Sequence, residues 1–127
     1  MDDKRRSARY SIDPGTHTDR LSKARMFLIT NLLKDRPIGH MIDVSQGGFK
    51  MSTWKQIETK TIYDLRLSLP EDLYGSNYIV FAAECVWCEK QRSPNSYLVG
   101  FRLWSVTPEN SHRIEQLIEL LKGVQVK

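Results

Sequence analysis

Apolar and polar positions alternate along most of the chain, which is the pattern of half-buried β-strands. The alternation is cleanest over residues 61–69. There Leu65 and Leu67 share one face of the predicted strand and Arg66 lies on the other. Similar short runs separated by turn residues predict about six strands at hairpin spacing. These strands cover residues 26–30, 38–43, 49–52, 61–69, 78–88 and 96–106.

The last segment has a different period. Thr107 is a favourable capping residue, and Pro108 suits the first position of a helix. Apolar residues then recur at helical spacing, at Ile114, Leu117, Ile118 and Leu121. We therefore predict an amphipathic helix over residues 107–123 that ends near Gly123.

The order of these elements favours a small closed barrel. No helix separates the strands, so a parallel α/β sheet is disfavoured. An antiparallel barrel with one helix packed on it leaves no exposed strand edge. We predict a single mainly β domain over residues 1–127. Residues 1–24 would be a flexible basic arm and loop, 25–106 the barrel, and 107–123 the helix.

Length and charge narrow the possible partners only a little. The 127 residues suit one domain, and 19 Lys and Arg against 15 Asp and Glu leave a net charge of +4. This small excess favours an anionic partner. The basic residues concentrate near the start of the chain. They are Lys4, Arg5, Arg6, Arg9, Arg20, Lys23 and Arg25.

Several classes of protein are disfavoured. No apolar run is long enough for a membrane helix, and the charged start lacks the apolar core of a secretory signal. Cys85 and Cys88 cannot make a disulfide framework, so we expect reduced thiols and a cytoplasmic location. Residues three apart in a strand face opposite sides, which disfavours a metal site. No nucleophile elbow or phosphate loop is present, so we expect neither an enzyme nor a cofactor.

The segment Asp43-Val44-Ser45-Gln46-Gly47-Gly48 follows a predicted strand. Asp43 and Ser45 lie two apart, so in a strand their side chains can address one ligand together. Gly47 and Gly48 remove side-chain bulk where a ligand would approach. An ordinary polar turn uses the same residue types, and on this segment alone the turn is the favoured interpretation.

The N-terminal arginines add a second signal. A guanidinium group can fork onto phosphate or onto the O6/N7 edge of guanine. A carboxylate such as Asp43 can accept the N1–H and N2–H of guanine. Together these groups suit a guanine nucleotide, whereas the arginines alone would be typical of a solvated basic tail.

The two segments together resemble the PilZ domain family. The family signature is Arg-x-x-x-Arg followed, some tens of residues later, by Asp/Asn-x-Ser-x-x-Gly. The matching residues are Arg5, Arg9, Asp43, Ser45 and Gly48. The resemblance extends from about residue 4 to residue 122, although the interval between Arg9 and Asp43 is long for the family.

The resemblance implies a bacterial receptor for cyclic di-GMP, built on a six-stranded antiparallel barrel. In the family, the arginine arm wraps the ligand and the Asp-x-Ser-x-x-Gly strand contacts a guanine. The candidate ligand-binding residues are therefore Arg5, Arg6, Arg9, Asp43, Ser45, Gly47, Gly48 and Trp87. Arg6 would replace or supplement Arg5. Trp87 is either a platform for a purine or a core residue, and Gly100 either permits a close approach or relieves crowding.

The resemblance further implies second-messenger signalling, in motility or biofilm regulation. We expect the arm to become ordered on ligand binding and the signal to pass to an unidentified effector protein. Two alternatives remain: an adaptor of the same fold that binds no nucleotide, and a small barrel that binds single-stranded nucleic acid. Nucleic acid is the less favoured partner, and no membrane insertion is expected.

Overall fold

The computed structural model describes residues 10–11, 27–69 and 77–125. In chain order the elements are β1 (Tyr10–Ser11), β2 (Leu28–Asn31), β3 (Arg36–Val44), β4 (Gly48–Thr53), β5 (Ile62–Ser68), β6 (Tyr78–Lys90), β7 (Tyr97–Ser105) and the helix α1 (Pro108–Gln125). The short strand β1 falls within the segment predicted to be an arm and loop.

Six of the strands close into a barrel. They pair in the order β3-β2-β5-β6-β7-β4, and β4 pairs back with β3. Every pairing is antiparallel. The predicted mainly β fold, a six-stranded antiparallel barrel with a C-terminal helix, is confirmed. The additional strand β1 pairs with the end of β3, on the side opposite β4.

The barrel interior is filled by apolar side chains from all six strands. Phe49 lies at its centre, stacked on Phe101 at 4.9 Å and edge-on to Phe81 at 5.4 Å between ring centroids. The predicted apolar stripe of α1 is buried in the same cluster, and α1 lies against β1 and β6. Burial of this cluster is the main stabilising contribution to the fold.

The helix begins as predicted and ends later than predicted. Thr107 Oγ1 accepts a hydrogen bond from the backbone N–H of Asn110 at 3.2 Å, which caps the first turn. The helix continues past Gly123 to Gln125. A glycine inside a helix costs about 1 kcal/mol at most, which does not by itself end the helix.

Two of the four register shifts between the described strands, one in β3 and one in β6, reverse the alternation of side chains. In β3 the pairing with β4 shifts between Met41 and Asp43, so Ile42 is the extra residue. In β6 the pairing with β7 shifts between Cys85 and Trp87, so Val86 is the extra residue. Because of these extra residues, the strands present different faces before and after each bulge.

The bulge in β6 corrects two expectations. Strict alternation along β6 would put Trp87 on the same face as Cys85, but Trp87 lies on the outer surface, because Val86 shifts the alternation by one position. Cys88 was predicted on the face opposite Cys85. Instead, Cys85 is buried in the core and Cys88 packs against it. The expectation that residues three apart face opposite sides is therefore wrong at this bulge.

Candidate ligand-binding site

The segment Asp43–Gly48 forms a tightly held connection between β3 and β4. The backbone N–H and the hydroxyl of Ser45 both donate to the carbonyl oxygen of Gly48, at 2.8 and 3.2 Å. The N–H of Leu103 donates to the carbonyl of Gly47 at 2.9 Å, which ties the turn to β7. Ser45 is only 2% exposed. The polar residues of this segment thus build a fixed turn beside the end of β3.

Gly48 allows β4 to pass close to β7. A Cβ atom at this position would lie 2.2 Å from the carbonyl oxygen of Phe101, a backbone atom that cannot move alone. The final glycine of the signature is therefore required by the close packing of β4 against β7.

Asp43 belongs to a row of positions that crosses four strands on the outer surface. Asp43 lies opposite Lys50, Lys50 opposite Gly100, and Gly100 opposite Trp87. We call these four positions the Asp43–Trp87 row. Opposed residues of antiparallel strands share a face, and strands lie about 4.8 Å apart, so the row spans about 14 Å. It runs along the outward-facing side of the barrel from a largely buried carboxylate to an exposed indole.

At one end of the row a carboxylate meets a cation. The Lys50 ammonium nitrogen lies 3.5 Å from Oδ2 of Asp43, whose side chain is 9% exposed. Lys50 was missed by the sequence reasoning. The signal that could have found it is the hairpin itself, since a turn over residues 45–48 brings the start of β4 opposite the end of β3.

At the other end the Trp87 indole covers Gly100. Trp87 is 39% exposed, so the alternative of a core tryptophan is wrong. A Cβ atom on Gly100 would lie 2.2 Å from Nε1 of Trp87. The ring thus occupies the space that a side chain at position 100 would fill, so of the two interpretations of Gly100 the geometry supports relief of crowding, here beneath the indole.

A second cation flanks the row. Arg102 lies opposite both Gly48 and Glu84, and its guanidinium forms an ion pair with the Glu84 carboxylate. The guanidinium is largely exposed beside the turn. Sequence reasoning also missed Arg102, because only the register of β4, β7 and β6 brings it to this surface.

The candidate residues Arg5, Arg6 and Arg9 lie outside the described residues. The structure does describe the strand that follows them. Tyr10 pairs with Val44 and Ser11 pairs with Asp43, so the chain immediately after the arginine motif runs beside the second half of the signature. The long interval to Asp43 thus does not keep the two halves apart.

Other chemistry is limited in the parts of the chain that the structure describes. No group of His, Cys, Asp or Glu side chains there could hold a metal ion. Burial in the core raises the pKa of the Cys85 thiol to about 11, so this cysteine is a poor nucleophile near neutral pH. Within the same residues, no helix is long and apolar enough to cross a membrane.

Comparison with known proteins identifies the family. A profile of the PilZ domain matches residues 3–120, so the chain belongs to the PilZ domain family, as its signature predicts. Comparison with curated proteins found no match.

Solved structures show the same fold at low sequence identity. The PilZ domain of YcgR from Escherichia coli, solved with c-di-GMP, has a TM-score of 0.66 at 15% identity, over 94% of this chain and 92% of that chain. YcgR in complex with c-di-GMP has a TM-score of 0.62 at 15% identity, over 94% and 46% of the two chains. PlzA of Borreliella burgdorferi in complex with c-di-GMP has a TM-score of 0.55 at 15% identity, over 97% and 55%. The chain therefore spans about half the length of these last two proteins.

Proposed function

We propose that this protein is a receptor for cyclic di-GMP and that the ligand lies along the Asp43–Trp87 row. The observation that best supports the proposal is the register of the strands. It aligns a carboxylate, a cation and an exposed indole on one surface, next to the strand that follows the arginine motif. The similar structures of YcgR and PlzA were solved with this ligand, which also supports the proposal.

Each end of the row suits one part of the ligand. The Asp43 carboxylate accepts the N1–H and N2–H of one guanine, a pair of donors that adenine lacks. The Trp87 ring stacks on a purine, an interaction that is worth about 1–3 kcal/mol per base in nucleic-acid complexes. The phosphate oxygens and the guanine edges are bound by Arg5, Arg6 and Arg9, because a guanidinium group can donate two hydrogen bonds to either.

Lys50 changes partner when the ligand binds. In the structure its ammonium group lies beside Asp43. When a guanine hydrogen-bonds to the Asp43 carboxylate, the Lys50 ammonium group moves to the neighbouring phosphate. The site gains one contact, and no buried charge is left unpaired. Ser45, Gly47 and Gly48 act mainly by holding the turn that presents Asp43.

The N-terminal arginines provide the signal. Because β1 pairs with the end of β3, the segment that carries these arginines is attached beside the ligand surface. Ligand binding orders this segment over the barrel, and an effector protein recognises the surface so created. The protein thus acts as a binding module and not as an enzyme.

Trp87 fluorescence tests this proposal directly. In a Trp54→Phe/Trp104→Phe variant, Trp87 is the only tryptophan of the three in the sequence. Cyclic di-GMP should quench its emission saturably, and cyclic di-AMP should not, because only guanine offers the N1–H and N2–H pair to Asp43. An Asp43→Ala substitution should weaken binding by about tenfold or more, the usual effect of a lost charged hydrogen bond. Equal quenching by both dinucleotides, or none by either, would contradict the proposal.

A further inference from the structure

A cavity lies at the end of the barrel opposite Asp43. It has a volume of about 400 Å³ and lies where β3 begins, whereas Asp43 lies where β3 ends. All the residues that line it are described by the structure. None of them belongs to the PilZ signature or to the Asp43–Trp87 row, so the proposed receptor function does not use this cavity.

The interior of the cavity is apolar and partly aromatic. Ile38 and Ile57 pack against the core and form part of its lining. Trp54 forms another part and is 45% exposed. The ring of His40 meets the Trp54 ring edge-on, at 5.5 Å between centroids, which helps to fix the orientation of the indole. A half-exposed, oriented tryptophan beside an apolar floor is typical of the centre of a protein interface.

The charged side chains that line the cavity are all positive. Lys34, Arg36 and Lys55 line it and are exposed, and no Asp or Glu is among its described lining residues. None of these three side chains forms an ion pair within the described ranges 27–69 and 77–122. The rim is therefore complementary to a ligand that brings several negative charges.

The apolar surface also extends beyond the cavity. Leu33 lies at the tip of the turn between β2 and β3, next to Lys34, and is 88% exposed. A small molecule seated in the cavity would leave this leucine uncovered. A protein segment that crosses the rim would cover it, which favours a macromolecular partner over a free nucleotide or metabolite.

We propose that this end of the barrel is a docking surface for an acidic segment of a partner protein. One apolar side chain of that segment enters the cavity against Trp54, while its carboxylates pair with Lys34, Arg36 and Lys55. The surface lies apart from the proposed nucleotide site, and the proposal does not rest on cyclic di-GMP binding. It gives the molecule two separate faces, one for a small anion and one for a protein.

A peptide titration of the full-length protein tests the proposal. The probe is a peptide of Asp and Glu residues around a central Leu-Phe pair, followed by ¹⁵N NMR at the indole N–H of Trp54. We expect a saturable shift that weakens as salt is added, because the rim charges are exposed. A peptide with Lys in place of the acids, and an acidic peptide with Gly-Gly at its centre, should each bind about tenfold more weakly or not at all.

Charge-reversed variants locate the binding. Lys34→Glu/Arg36→Glu should weaken binding of the acidic peptide by about tenfold, whereas Arg66→Glu, a charge reversal on the β5 strand outside the cavity, should not. Melting temperature and cyclic di-GMP affinity of the double variant should equal those of the wild type. The melting temperature detects a variant that fails to fold, and the cyclic di-GMP affinity detects a failure of the receptor proposal. Neither failure can then be mistaken for a failure of the docking proposal.

Four results would overturn the docking proposal. The first is the absence of a saturable Trp54 shift, and the second is equal binding of the basic peptide. The third is a Trp54 shift that follows protein concentration alone, since that would make a second copy of the chain the occupant. The fourth is a shift caused by GTP but not by the acidic peptide, since that would make the occupant a small anion.

Discussion

Gly100 shows how one missing side chain shapes the ligand surface. Its hydrogen leaves room for the Trp87 indole, which lies across the strand at this point. The indole packs over Gly100 and remains partly exposed. Sequence spacing alone allows a core position for Trp87, and the exposed fraction of the indole excludes that position.

A methyl group at position 100 should therefore displace the indole. In Gly100→Ala the new Cβ would lie 2.2 Å from Nε1 of Trp87, so the ring must swing toward solvent. We expect red-shifted tryptophan emission and a loss of cyclic di-GMP affinity similar to that of Trp87→Ala. In the Trp87→Ala background the Gly100→Ala change should add no further loss, and an additive loss would contradict the contact.

The Cys85 thiol should couple the stability of the fold to alkaline pH. Burial raises its pKa from 9.0 to about 11, so between these values the native state holds a proton that the unfolded state has lost. The contribution of this thiol to the free energy of unfolding is fully present below pH 9.0 and is lost as the pH rises toward about 11. Urea unfolding at several pH values should show this fall in the wild type and in Cys88→Ala. In Cys85→Ala the fall should be smaller, and an unchanged fall would contradict this prediction.

At the scale of elements, the two bulges determine what the barrel presents to solvent. The extra residue Ile42 puts Asp43 opposite Lys50, on the outward-facing side of the strand, and returns Val44 to the core. The extra residue Val86 puts Trp87 opposite Gly100. Without the bulge in β3, strict alternation would turn Asp43 toward the core. Without the bulge in β6, it would turn Trp87 toward the core.

Packing between β4 and β7 depends on Gly48. In Gly48→Ala the added Cβ would meet the backbone of β7, so these strands must separate or tilt. We expect the free energy of unfolding to fall by about 2 kcal/mol, a typical cost of overpacking. Urea denaturation measures this change, with Ser52→Ala on the same strand as the control. Equal stabilities of the two variants would argue against the tight approach.

The sequence predicts the elements well and their registers poorly. Alternation and helical spacing are local properties, so the strands, the helix stripe and the Thr107 cap could be recognised from residues near one another. The bulges at Ile42 and Val86 depend on which residue of a partner strand each position meets. The register is set by the packing of the whole barrel. The sequence alone therefore does not reveal Lys50 and Arg102, and it does not show whether Trp87 lies in the core or on the surface.

At the scale of the whole molecule, the positions of the charged side chains say more about binding partners than the net charge does. The excess of +4 is small. The barrel nevertheless carries cations at both of its ends: Lys50 and Arg102 near the signature turn, and the Lys34, Arg36 and Lys55 rim at the other end. On the proposals above, the first group serves a cyclic dinucleotide and the second an acidic protein segment.

Calorimetric titration of the full-length protein with cyclic di-GMP tests the central claim most directly. We predict saturable heat with a defined stoichiometry in the wild type and in Arg66→Ala. Asp43→Ala and Arg9→Ala should each weaken binding by about tenfold or more, because each removes a charged hydrogen-bonding group from the ligand surface. Absence of heat and of any shift in melting temperature for the wild type, or unchanged affinity in Asp43→Ala, would contradict the claim.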